Sequence, residues 1–288
     1  MKCSTSIIVG SLVFSSLVGL SPTNAAINTW NNNAANSLWD LSSANWAAPN
    51  IWVDGDDAIF GATGVGEVTL GSAITVGDQT FNASGYTITG AGNPLTLVGT
   101  APTITVNAAN ITNAASINGT NGLTVQGTGV LSLAGDVPNL DGNHYTGGTF
   151  VRSGTLILGV RGANASGTSY AVDSIEALDP GATVKFETTF NGTSYVSPPL
   201  HQVAAHSLTF PSRLHMTGGT FDLNDEPRNQ HLPIPEGTGL IINTGTNVQS
   251  GLILVADGSN HVFSGVIADG GPLVGDNSPT GPTPQGPG

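Results

Sequence analysis

The 288-residue chain reads as an all-β solenoid, a coil of short strands stacked turn upon turn, and three observations predict it. Between Gly122 and Gly159, four stretches (Leu123–Val125, Val130–Leu133, Thr149–Val151 and Thr155–Leu158) set apolar residues two apart. One face of each therefore enters a core, while threonines and serines face outward. Gly122, Gly127, Gly129, Gly135, Gly147, Gly148 and Gly154 fall between these stretches, where chain reversal needs positive φ or close backbone approach. Forty glycines in all, with abundant Thr, Asn and Ser, suit strands and tight turns and starve helices.

Taken in order, residues 1–25 read as a signal peptide. Lys2 supplies the positive end, Ile7 to Leu20 the apolar run, and Thr23-Asn24-Ala25 a small-x-small pattern, with cleavage after Ala25 and the mature chain starting at Ala26. The apolar run is too short and serine-rich for the roughly 20 residues of a membrane-spanning helix, so no transmembrane segment is expected after its removal. Cys3, the only cysteine, leaves with it, and with it disulfide and thiol chemistry.

Residues 26–60 carry all four tryptophans, Trp30, Trp39, Trp46 and Trp52, with no sustained alternation before Ile51. An open solenoid end exposes apolar side chains and unpaired strand edges, so this segment reads as an N-terminal cap in preference to a sugar-stacking platform. Residues 61–162 form the regular solenoid: Val68–Leu70, Ala73–Val76, Tyr86–Thr89, Leu95–Val98, Thr103–Val106, Asn110–Thr112 and the four strands above. Two or three such strands make one coil, and since each is too short to stand alone, neighbouring coils must hold one another.

Residues 163–239 read as irregular coils or an insertion, with a short helical turn at Ser174–Leu178 and strands at Thr183–Phe186, Ser207–Phe210 and Thr220–Leu223. Residues 240–276 bring back strands at Leu240–Asn243 and Leu252–Val255 and then the stretch His261–Ile267. The Pro/Gly-rich tail 277–288 is expected to be disordered.

Within 122–159, Gly122-Leu123, Gly127-Thr128-Gly129, Leu131-Ser132-Leu133, Gly135, Asn143, Tyr145-Thr146-Gly147-Gly148-Thr149, Val151 and Gly154-Thr155-Leu156 follow one another in a fixed order. In that order they resemble the autotransporter-associated β-strand repeat of bacterial passenger domains. The family usually carries a basic residue near Gln126 and a shorter link in place of Asp136–Gly142. Phe263-Ser264-Gly265 with Ile267 resembles the opening of a further, incomplete copy. Trp39, Trp46 and Trp52, ending in Gly55-Asp56-Asp57-Ala58-Ile59-Phe60, resemble the segment that precedes the first coil of many secreted proteins with this repeat. The resemblance implies a right-handed parallel β-helix, exported to the cell surface, without catalytic chemistry. The strand pattern of an outer-membrane barrel is not seen in the C-terminal stretch, so no barrel is expected there.

Without Lys2 the chain keeps five basic residues (Arg152, Arg161, Lys185, Arg213 and Arg228) against nineteen acidic ones, a net charge of −14. Such a surface repels phosphate backbones and anionic lipid, which excludes nucleic acid as a partner. Parallel β-helices also serve polysaccharide lyases and hydrolases, so catalysis must be tested residue by residue. Asp56-Asp57 is the best carboxylate pair, yet neighbours on an extended strand point to opposite faces. One mature lysine and no clustered arginines cannot neutralise a uronate and remove its α proton.

Asp54, Asp56 and Asp57, and separately Asp222, Asn224 and Asp225, offer oxygen ligands for calcium. Neither group continues into a twelve-residue calcium loop, since Pro227 sits sixth from Asp222, and solvated turn carboxylates are the ordinary reading. His201, His206, His215 and His231 form no zinc-like pair. The sequence thus predicts a secreted or cell-surface, non-catalytic structural or adhesive solenoid whose loops contact carbohydrate or protein. It is also expected either to self-associate through an open C-terminal coil or to be the leading piece of a longer surface protein. A polysaccharide-degrading β-helix enzyme and a carbohydrate-binding module are the alternatives.

Overall fold

Strands of three to five residues cannot hold themselves together, and the chain solves this by laying each strand parallel to the one a coil earlier. The computed structural model describes residues 25–47, 51–134, 143–159, 174–186, 189–190, 195–196, 213–224, 230–244, 252–255 and 258–269. Residues 1–24 of the expected signal peptide, the strand expected at Ser207–Phe210 and the tail 277–288 lie outside them. Among the described residues every regular element is a strand, and the result is a parallel β-helix.

Among the described residues the coils stack on two long faces and, between Ile74 and Gly119, on a third. Face one stacks Ile27–Trp30, Asp57–Phe60, Gln79–Phe81, Thr103–Val106, Leu123–Gly127, Thr149–Val151 and Ile175–Leu178, then the first part of Leu214–Asp222 and of Glu236–Asn243. Face two stacks Leu38–Trp39, Glu67–Leu70, Thr87–Thr89, Asn110–Ala114, Val130–Leu133, Thr155–Leu158 and Thr183–Phe186. It continues through the second part of the same two long strands and ends on Val266–Asp269. Face three holds Ile74–Val76, Leu95–Leu97 and Ile117–Gly119. Further on, Gln230–Pro233 pairs in parallel with Leu252–Val255.

The alternation read from the sequence is the inside-outside rule of the coil. In Leu123–Gly127, Leu123 and Val125 are buried and Thr124 is half-exposed between them. Register then turns inward residues into columns: Ile104, Val125, Val151, Leu178 and Met216 on face one, and Ile111, Leu131, Leu156, Val184, Phe221 and Ile241 on face two. All are buried. Removing apolar surface at every step of a column is the main term holding the stack.

In several coils the corner between faces one and two leaves no room for a side chain, whereas Tyr86, Ala109 and Ala182 stand there in others. Gly129, Gly154, Gly219, Gly239 and Gly265 each sit directly before a face-two segment. A Cβ on Gly154 would lie 2.8 Å from the Gly129 carbonyl oxygen, and one on Gly239 would lie 2.6 Å from that of Gly219. A Cβ on Gly265 would run into the Gly239 carbonyl. Gly154 also has φ of +73°, a conformation that costs an L side chain about 1–2 kcal/mol.

Ser174–Leu178 is not a helical turn. Ile175–Leu178 is a face-one strand, because the Thr149 amide donates to the Ser174 carbonyl and the Ile175 amide to the Arg213 carbonyl. The ladder on both sides outweighs the weak helical preference of Ile-Glu-Ala-Leu. The less regular look of 163–239 comes from coil length. Hydrogen bonds between coils join residues 21 apart at Asp54 and Thr75, but 39 apart at Glu176 and His215. The longer link carries an antiparallel pair, Thr189–Phe190 with Tyr195–Val196.

Candidate functional site

The carboxylates of the acidic turn Asp54–Asp57 accept from N–H groups of the coils before and after it. Asp54 Oδ1 accepts from the Thr75 amide at 2.8 Å and from Trp52 Nε1 at 3.2 Å. Asp56 Oδ1 accepts from the Ala26 nitrogen at 3.1 Å, and its Oδ2 from Asn28 Nδ2 at 2.7 Å. Asp57 Oδ1 accepts from the Asp78 amide at 2.7 Å, and Asp78 Oδ1 in turn from the Thr103 amide at 2.9 Å. The three carboxylates are therefore turned to different neighbours and do not converge on one point. Burial pushes the Asp78 carboxyl above its ordinary value, and the charge of Asp57 adds to that, against the Thr103 hydrogen bond.

Asp222, at the end of its strand, likewise accepts from the following coil. It is buried, its Oδ1 accepts from the amides of Asn224 and Thr244 at 2.9 and 3.0 Å, and its Oδ2 from the Thr244 hydroxyl at 2.6 Å. Asn224 sits at φ +47° and donates from Nδ2 to the Phe186 carbonyl at 2.8 Å. Asp225 lies outside the described residues. Among the described residues, no group of three His, Cys, Asp or Glu side chains stands close enough to hold a metal ion.

Sequence reasoning missed a charged ladder on the outer side of face one. Arg213 donates from Nε to Glu236 Oε2 at 2.9 Å and from Nη1 to Glu176 Oε2 at 3.2 Å, and His261 Nδ1 is hydrogen-bonded to Glu236 Oε1 at 2.8 Å. Hydrogen bonds from Arg213 and then His261 hold the Glu236 carboxyl below its ordinary value. Nearby, Arg152 pairs with Asp179 at 3.0 Å and rests over the Phe150 ring. Hydrogen bonds from Thr217 and Arg152 outweigh burial and keep Asp179 low. These residues are far apart in sequence, and only the register unites them.

The tryptophans form a core. Trp30, Trp39, Trp46 and Trp52 are each at most 2% exposed, with ring centroids 4.6 Å apart for Trp46 and Trp52 and 5.3 Å for Trp30 and Trp46. Phe60 stacks on Phe81 at 4.6 Å and 8°, close to the spacing of adjacent strands, because the two are register partners. Tyr86 completes the cluster; its hydroxyl lies 2.8 and 2.7 Å from the carbonyl oxygens of Gly61 and Thr63, and burial pushes its pKa up to about 12. With their faces packed inside, the four indoles offer no stacking platform to a sugar.

No family model matches the chain, and no solved structure does. Among curated proteins, it is similar to the "Adhesin BmaC autotransporter" of Brucella suis biovar 1 (strain 1330), with 39% identity over 127 residues, which is 43% of this chain. The matched region covers 4% of that protein's length. The resemblance to autotransporter passengers read from the repeat thus recurs in a protein that carries that name.

Proposed function

We propose that the chain is part of a secreted or cell-surface adhesin, a non-catalytic β-helix whose outward residues and loops contact carbohydrate or protein. The likeness to a named autotransporter adhesin carries this reading. The chemistry of the coil supports it, since the aspartates weighed for acid-base or calcium roles are occupied in joining one coil to the next. Binding of the bead-coupled chain to arrays of glycans and extracellular proteins tests it. Saturable retention on a subset of spots is the expected result, and none on either array would overturn the adhesive reading. Release of reducing sugar from pectin or alginate would instead favour the polysaccharide-degrading alternative. Self-association belongs to the same proposal: Val262, Val266 and Ile267 of the last described coil are all more than half exposed, which favours contact there. Sedimentation velocity across a hundredfold dilution reads it directly, and a single unchanging monomer would count against it.

A further inference from the structure

Ala26 sits where the signal segment meets the first coil, and its main chain is held from both sides. Its nitrogen lies 3.1 Å from Asp56 Oδ1, and its carbonyl accepts from the Asp57 amide at 2.8 Å. Asp56 is itself fixed, because Asn28, a fully buried residue of the first strand, donates to its other oxygen at 2.7 Å. Ala25 and Ala26 are exposed, and the run Thr23-Asn24-Ala25 has the small-residue pattern an export peptidase reads.

We propose that removal of the signal segment after Ala25 creates part of the fold: the freed α-ammonium of Ala26 forms an ion pair with Asp56 that clamps the first strand to the second coil. The proposal rests on the export part of the function above. In the covalent step the peptidase adds water across the Ala25–Ala26 amide. The carbon–nitrogen bond breaks, Ala25 leaves as a carboxylate, and Ala26 keeps a nitrogen that is an ammonium at neutral pH. An amide with one N–H becomes a charged group with three, at the spot where a carboxylate already accepts.

Charge-assisted hydrogen bonds are shorter and stronger than neutral ones, so the same contact tightens on cleavage. The other acids nearby do not compete for the ammonium. Asp57 is turned to the Asp78 amide and Asp54 to the Thr75 amide, while both add to a negative field that favours a cation. The sign of the pH dependence follows. A free α-amine titrates at about 7.7–8.0, and an adjacent carboxylate raises that value in the folded state. The clamp is therefore complete below the unfolded value and is lost as pH rises through the folded one.

The test begins with the full chain exported with its leader and the mass of its mature N-terminus, which should start at Ala26. Melting is then compared for wild type and Asp56→Asn, each with a free Ala26 amine and with that amine acetylated. Asp56→Asn disturbs the Asn28 contact equally in both forms, so the difference between them isolates the ammonium. It should cost about 1–3 °C more in the free-amine protein at pH 7, and the excess should vanish by pH 10. The α-amine pKa, followed by NMR in wild type, should lie above the reference range and return to it in Asp56→Asn. A mature chain starting elsewhere, an equal penalty in both forms, or an α-amine at or below its reference pKa would overturn the clamp. Adhesion in the array assay with a different N-terminus would sink the clamp alone and leave the proposed function standing.

Discussion

At the N-terminal end the edge of the first coil is covered by the chain itself. Residues 45–47 run back against the first strand, with the Ala47 amide donating to the Thr29 carbonyl and the Asn31 and Asn32 amides to the Asn45 carbonyl. Trp46 of this cover packs onto a cluster of Trp30, Trp39, Trp52, Phe60, Phe81 and Tyr86. At the other end Val266–Asp269 pairs with the coil before it. Ile267, which continues the column of buried Phe221 and Ile241, is 53% exposed. The same column position is fully buried in one coil and half buried in another, so what a residue contributes depends on its place along the column. Among the described residues no strand pairs with the far side of Val266–Asp269, whereas residues 45–47 close the first coil.

Four tests break or sharpen this contrast, taken from the largest effect down. Trp46→Ala should destabilise by about 3–5 kcal/mol in denaturant unfolding, whereas Ile267→Ala should cost below about 1 kcal/mol. Equal losses would mean that the covered end is no better packed than the open one. Gly64→Ala comes next. At φ +72° its new Cβ would meet Trp30 Nε1 at 2.8 Å and strain the hydrogen bond from that indole to the Gly64 carbonyl, at a cost of about 2–3 kcal/mol. Gly258→Ala, at φ +89° with open space around it, should cost only about 1 kcal/mol for the backbone.

The third test concerns how the later coils are tied. Glu236 is held below the ordinary glutamate value of 4.5, so its contribution is present above that value and is lost as pH falls through the lower, folded one. Glu236→Gln should remove about 0.5–1 kcal/mol at pH 7, and the difference from wild type should close under acid. A gap that persists at pH 2 would assign the loss to packing. The smallest effect is at Asp78, whose raised value means that its ionised form is disfavoured in the fold. Asp78→Asn keeps an oxygen for the Thr103 amide and sheds the repulsion from Asp57. Its melting temperature should exceed that of wild type slightly at pH 7 and match it at pH 3, where the wild-type carboxyl is protonated; a lower melting temperature at pH 7 would show that the charge helps.

Much of the coil was legible in the residues. Val68, Ile104, Val125 and Leu133 lie inward as their spacing predicts, and Val125→Asp should remain far more damaging than Thr124→Asp. Gln79–Phe81 escaped because its inward first residue is polar, buried beside Ala58 in a column that starts at Asn28. Ile27–Trp30 escaped because its inward Asn28 hides the alternation. The roles of the aspartates could not be read, since the amide that Asp57 serves lies 21 residues on and the one Asp78 serves lies 25 on. Those distances depend on loop lengths that no local pattern fixes. Glycines announced turns, but that Gly219, Gly239 and Gly265 lie over one another is a matter of register alone.

That stack of glycines also sets how such a molecule can change in length. A coil that meets its neighbours through backbone at one corner and through a column at each face asks little of the particular residues in the coil above it. A whole coil can be added or removed while its neighbours keep their sequences, provided the backbone at the corner can still make its close approach. Each coil advances the axis by about 4.8 Å, the spacing of paired strands. The described part of the chain is thus a ruler graduated in coils, and its length is written as a count of paired strands on one face.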